Sequence, residues 1–159
     1  MEEIKLPITA DKAERYKCLT EQIKSLVGNE KNMIANMANV SAAIRQTFEF
    51  LWVGFYLCEN DDELVLGPFQ GTIACTRIKF GHGVCGTAWK LQRTVIVADV
   101  DKFAGHIACS SASKSEIVVP LFKGNKVIAV LDIDSDKLNT FDETDKLALE
   151  DIVKIIITD

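Results

Sequence analysis

The chain of 159 residues has no apolar run approaching the roughly 20 residues needed to cross a bilayer, so no membrane-spanning helix is expected. It also lacks a basic excess. Lys and Arg number 18 against 23 Asp and Glu, the net charge is −5 and the pI about 5.1, which argues against nucleic acid or an anionic membrane as partner. Met1 is followed at once by Glu2 and Glu3, with no apolar leader behind them, so no secretory signal is expected. Repeats, low-complexity tracts and linkers are missing too. That points to a single domain over residues 1–159, large enough to bury a core without staples. Finally, there is no C-x-x-C and no closely spaced histidine pair. Cys75, Cys85, Cys109, His82 and His106 are the right residue types for zinc, but their spacing argues against a structural site, and no bound metal is expected.

What is present is an odd number of cysteines, five, in an otherwise ordinary globular composition of 48% hydrophobic and 26% charged residues. A secreted domain would usually pair its cysteines, whereas a cytoplasmic one keeps them reduced. The expected location is therefore the cytoplasm, with some or all thiols free.

Apolar residues recur at helical spacing over residues 11–27 and again over about 30–47, with Gly28 expected to stop the first run as a C-terminal glycine. Residues 51–58, 63–70, about 76–80, 94–98, 116–122 and 126–134 read as strands. A short helix is inserted over about 84–92, and a last helix capped by Thr140 or Asp142 runs towards Ile157. The fold class is α+β, with a mainly antiparallel six-stranded sheet flanked by N- and C-terminal helices. Residues 99–113 form a long polar loop hinged near Gly105, and make the best candidate for a lid.

Gly81, Gly83 and Gly86 form a G-x-G-x-x-G with Asp99 and Asp101 downstream, the dinucleotide fingerprint on paper. The rest of the chain reads as hairpins, so a doubly wound sheet is excluded and no nucleotide cofactor is expected. The glycines fit a tight turn and a close backbone approach to a small ligand instead. Cys18 and Cys58 fall in apolar patterns and read as small buried hydrophobes.

Cys75, Cys85 and Cys109 are different, because each lies in a short segment rich in Gly or Ala and built like a pocket wall. A thiolate attacks an electrophilic sulfur, and a second thiol nearby closes a disulfide. Three such thiols suggest a reducing enzyme. Asp132 and Asp134 are the second anomaly, two carboxylates on one face of an apolar strand that Ile128 and Val130 are expected to share. Buried acids need partners and raise one another's pKa, which suits a proton donor or the recognition of an ammonium group.

Glu116 is the natural third acid, and strand register decides whether it joins them. A two-residue turn at Gly124-Asn125 with a regular ladder turns Glu116 away. A three-residue loop with Asn125 left-handed sets it opposite Asp132, and a bulge would also restore the shared face. Trp52 and Tyr56, four apart on a strand, share a face and read either as core or as the wall of a cavity for a methyl group or cation.

With these residues assembled, the chain resembles the free methionine-(R)-sulfoxide reductases, a family built on a single GAF domain. The resemblance runs from about Phe50 to Lys154. It rests on WVGFYL, GPFQGTIACTRIKFGHGVCGTAW, FAGHIACSSASKSEIVVPL and VIAVLDIDS, and on three cysteines followed by SEIVVP and the DID pair.

The resemblance implies a GAF core over residues 50–157 behind a helical segment over 1–48, which by family analogy often serves as a homodimer surface. It implies that free methionine-(R)-sulfoxide is bound with its ammonium on Glu116, Asp132 and Asp134, acids that also help protonate the sulfoxide oxygen. Trp52 and Tyr56 would enclose the methylthio end, and backbone of the Gly105–Cys109 loop, including Ile107, would hold the carboxylate. Cys109 would attack and Cys75 resolve, with Cys85 an alternative resolver or a bystander; an exchange of roles between Cys85 and Cys109 stays open. No cofactor is implied beyond an external dithiol, thioredoxin, that reduces the disulfide. The family loop often reads Phe-Pro-Gly-His-Ile-Ala-Cys-Asp. Here Ala104 replaces the proline and loosens the loop, while Ser110 replaces the aspartate and removes a charge. The alternative from another class is a non-catalytic GAF-type sensor of a small ligand or redox state; a zinc-binding module comes third.

Overall fold

A computed structural model describes residues 4–5, 11–107 and 111–157. Cys109, the expected nucleophile, lies outside the described residues. The elements run α1 (Lys12–Val27), α2 (Met33–Phe48), β1 (Trp52–Cys58), β2 (Glu63–Gln70), β3 (Arg77–Lys79), α3 (Gly83–Leu91), β4 (Val95–Val97), a 3-10 turn at Val100–Lys102, β5 (Ser115–Lys123), β6 (Lys126–Ser135) and α4 (Glu143–Ile156). The six strands form one sheet of order β3-β2-β1-β6-β5-β4, each neighbouring pair antiparallel.

Local chemistry fixes the helix starts. Asp11 and Glu14 form a capping box on α1, Asn32 caps α2 and Asp142 with Asp145 forms a second box on α4, satisfying backbone donors that no preceding turn can reach. Gly28 does end α1, but in the right-handed region rather than the left-handed one a C-terminal glycine usually adopts.

The sheet divides two cores. Alternate strand residues (Val53 and Phe55, Ile117, Val119 and Leu121, Leu131 and Ile133) pack against α1, α2 and α4 in the larger cluster. Full burial of each such aliphatic side chain contributes about 1.5–3 kcal/mol. The opposite face, with Trp52, Tyr56, Val118 and Val130, packs against α3 and the loops around it. Cys18 and Cys58 are half-buried rather than buried, because both sit where their elements meet the surface. Gly86 admits α3 close to β3: a Cβ there would stand 2.4 Å from the Lys79 carbonyl oxygen. The close approach expected of the glycine motif is thus, at this residue, helix to strand rather than backbone to ligand.

One irregularity in the β5–β6 hairpin places the acids. The turn is the two-residue one, with Lys123 opposite Lys126, and its left-handed residue is Gly124 (φ +59°) rather than Asn125. A bulge then interrupts the ladder between Leu121 and Phe122, so Leu121 faces Ala129 while Phe122 faces Val127. Ile128 is the extra residue. It packs with the helical core, not on the aspartates' face as strict alternation predicts, while Val127 joins the other side. The single inserted residue restores the shared face for all three acids. Glu116 comes to stand opposite Asp134, two residues along from the Asp132 that a three-residue loop would have selected.

Candidate active site

Three adjacent strands bring one row of side chains together. Trp52 on β1 pairs with Asp134 on β6, which pairs in turn with Glu116 on β5. One step along, Gly54 pairs with Asp132. A Cβ at Gly54 would stand 2.5 Å from the Trp52 ring, so the missing side chain is what lets the indole lie along the sheet. Trp52 stacks on Phe69 at 5.3 Å between centroids and on Tyr56 at 6.0 Å. The same two residues hold down the loop after β2. Trp52 Nε1 donates to the Thr72 carbonyl (3.0 Å) and the Tyr56 hydroxyl to the Cys75 carbonyl (3.0 Å).

A pocket opens between this row, α3 and the flanking loops. Of the residues expected from the sequence, Trp52, Tyr56, Cys85, Ile107, Glu116, Asp132 and Asp134 line it. Gly105 does not, though it carries a positive φ (+78°) two residues before Ile107. Cys75 packs beside the site on the tethered loop and is disulfide-bonded, whereas Cys18, Cys58 and Cys85 are free thiols.

Two polar lining residues gain a role that the sequence does not suggest. Ser113, just ahead of β5, donates a short hydrogen bond to Asp134 Oδ1. His106 reads in the sequence only as a zinc donor of the wrong spacing, and its Nε2 lies 3.8 Å from Glu116 Oε2. A single histidine in a long loop, or one serine in a serine-rich segment, carries no periodicity that would single it out. The other histidine, His82, is the N-cap of α3 and does not line the pocket.

Two of the three acids are buried and Asp134 is half-buried. Glu116 is 5% exposed and Asp132 7%. Burial, and then the neighbouring Asp132 and Asp134 charges, push the Glu116 carboxyl well above the usual carboxylate range. Burial also pushes Asp132 well up, with the charge on Asp134 adding to the shift and hydrogen bonding from Cys85 and Glu116 opposing it. Asp134 rises to about 6 through burial, held back by the Ser113 hydroxyl. Among the described residues, Asp132 Oδ1 is buried and has no hydrogen-bond partner. Three crowded buried carboxyls therefore hold protons more tightly than solvated ones do, and an incoming cationic group would both satisfy the orphan oxygen and release them. Tyr56 keeps its proton, its pKa pushed up by burial and by Asp132. Burial and the same aspartate hold the Cys85 thiol in its neutral form, well above its ordinary pKa.

This arrangement suits a small zwitterion: acids for its cationic end, stacked aromatics for its apolar end and a source of protons beside both. Comparison with known proteins adds the lineage. A GAF domain family description matches residues 36–156. GAF domain-containing protein A of Dictyostelium discoideum is 60% identical over 145 residues, covering 91% of this chain and 92% of its own. The free methionine-R-sulfoxide reductase of Escherichia coli is 46% identical over 144 residues, or 90% and 87% of the two chains. The solved free methionine-R-sulfoxide reductase from Neisseria meningitidis, in complex with its substrate, superposes with a TM-score of 0.95 at 52% identity, covering 98% of this chain and 93% of that one.

Proposed function

The chain belongs to the free methionine-(R)-sulfoxide reductase family of GAF domains, and from that premise we propose that it reduces free methionine-(R)-sulfoxide to methionine. The observation that carries the reading is the row of Glu116, Asp132 and Asp134, the first two buried and Asp132 with a carboxylate oxygen that has no partner among the described residues, beside a pocket walled by Trp52 and Tyr56.

In this reading the substrate ammonium sits on the acids and its methylthio group against the two rings. Cys109 supplies the thiolate that attacks the sulfoxide sulfur. A protonated acid of the row donates to the oxygen, methionine departs and Cys109 is left as a sulfenic acid; sulfur on the substrate is reduced by two electrons and sulfur on the enzyme oxidised by two. Cys75 then displaces water from the sulfenic acid to form a disulfide, and an external dithiol, thioredoxin, returns both thiols by exchange. The disulfide carried by Cys75 supports its place in this redox chemistry. Cys85 takes neither role, because a fully buried thiol among carboxyls does not ionise readily. A reductive cycle of this kind fits a reducing compartment such as the cytoplasm.

The test is thioredoxin-coupled NADPH consumption with free L-methionine-(R)-sulfoxide, the S epimer and a peptide-bound sulfoxide, beside Cys109→Ser. Turnover of the free R form alone, abolished by the substitution, is expected. Absence of turnover with every sulfoxide would overturn the reductase reading in favour of a ligand sensor.

A further inference from the structure

The Cys85 thiol is left over by this chemistry, yet it is 2% exposed and sits among the acids. One ligand atom each from Cys85, Glu116 and Asp132 lies within 4.8 Å of the other two. Three atoms so placed have a common centre no more than about 2.8 Å from each (4.8 Å divided by √3). Zinc bonds sulfur at about 2.3 Å and carboxylate oxygen at about 2.0–2.2 Å, so the set needs to contract by roughly half an ångström. His106, whose Nε2 stands 3.8 Å from Glu116 Oε2 in the same pocket, is placed to approach as a fourth donor. Asp132 Oδ1, buried and without a partner among the described residues, is one of the oxygens such an ion would satisfy.

We propose that Cys85, Glu116 and Asp132 form an inhibitory site for a thiophilic divalent cation, Zn²⁺, which occupies the acid row in place of an organic ammonium group. An ammonium carries one charge and makes no use of a sulfur ligand. A zinc ion brings two charges to a row of three carboxyls and bonds the thiol that the sulfoxide chemistry leaves idle. On binding, the Cys85 S–H bond gives way to an S–Zn bond, the thiol proton and those held by the coordinating carboxyls pass to solvent, and no atom changes oxidation state. The burial that keeps the thiol neutral is opposed by the ion's own charge, because a coordinating thiol is deprotonated outright. Occupation by zinc and by an amino-acid ammonium group is mutually exclusive.

The test does not depend on turnover, so its failure and failure of the reductase reading are distinguishable. Zinc affinity is measured by competition with a chromophoric chelator on the full chain in its disulfide form, with the wild type, Cys85→Ser, Glu116→Gln, Cys18→Ser and Cys58→Ser. One zinc ion bound at micromolar affinity or tighter is expected, weakened at least about 10-fold by Cys85→Ser and by Glu116→Gln and unchanged by the other two. Cobalt titration of the unsubstituted protein gives a second readout that needs no core substitution: a thiolate-to-cobalt charge-transfer band, bleached by saturating free methionine. No zinc bound, zinc affinity unaffected by Cys85→Ser, a cobalt spectrum without that band, or one indifferent to methionine in protein that calorimetry shows to bind methionine would each overturn the proposal.

Discussion

Asp145 on α4 and Asp132 on β6 are both buried carboxylates, and the fold treats them in opposite ways. Asp145 is saturated. Its Oδ1 accepts from the Tyr16 hydroxyl (2.8 Å), and its Oδ2 accepts from Lys12 Nζ (2.6 Å) and the Asp142 amide (2.8 Å). Lys12 also reaches Asp142 (2.9 Å) and the Thr140 carbonyl (3.1 Å), so one ammonium fastens α1 to the start of α4. Asp132 has acid neighbours and, among the described residues, one oxygen without a partner. The first cluster carries its own counter-ion within the chain; the second leaves that place to a ligand. A buried charge completed by the fold holds helices together, whereas one left incomplete stores affinity for whatever completes it.

The sharpest way to break this contrast is to remove one acid from each cluster. Asp132→Asn or Glu116→Gln should lower turnover of free methionine-(R)-sulfoxide by about 10²–10⁴-fold, the usual worth of a positioned acid, with no loss of melting temperature. Asp145→Ala should do the reverse. It leaves Lys12 and the Tyr16 hydroxyl without their acceptor, at a cost of about 3 kcal/mol, since Lys12 is partly solvated and the lower end of the range applies. In a chain of this length that is a fall of about 6–12 °C in melting temperature, with turnover retained below it. Equal effects of the two substitutions on stability would erase the distinction.

The pH dependence of stability sharpens it further. Asp134 has a folded value of about 6 against an unfolded value of about 3.9, because burial penalises its charge. Its contribution is therefore fully present below about pH 4 and lost as pH rises through about 6. For a largely buried group the loss amounts to about 2 kcal/mol, and Asp134→Asn should flatten it in denaturant midpoints measured from pH 4 to 7. Asp142 in the helix clamp runs the other way. Hydrogen bonding to Lys12 lowers it to about 2, so its small, solvent-screened contribution is present above about pH 4 and fades only as pH falls towards 2. The fall on the alkaline side belongs to the pocket and the fall on the acid side to the clamp.

Much of this was legible in residue order. The helical repeats, the six strands, the cap at Asp142 (one of the two residues offered for it) and the common face of Trp52 and Tyr56 follow from local preference and period, and the structure keeps them. The paired aspartates on an apolar strand were visible for the same reason. The clamp was not, because Lys12, Tyr16 and Asp145 lie at helical positions ordinary for charged and aromatic residues, and their meeting depends on how two helices distant in sequence pack. The pocket roles of His106 and Ser113 were not legible either, since loop residues carry no periodicity.

The chain by itself determined which residues form strands, which face each acid takes within its own strand, and the supply of thiols and carboxyls that the chemistry needs. Only the tertiary structure decided that Glu116 meets the aspartates. A side chain's face repeats every two residues, so one inserted residue reverses it, and both a regular two-residue hairpin and a bulged one satisfy the same local preferences. The bulge that expels Ile128 to the helical core is selected by what lies on the two sides of the sheet, apolar helices on one and a pocket on the other. That choice is made between segments far apart in the chain, through burial of apolar surface, and no window of sequence contains it.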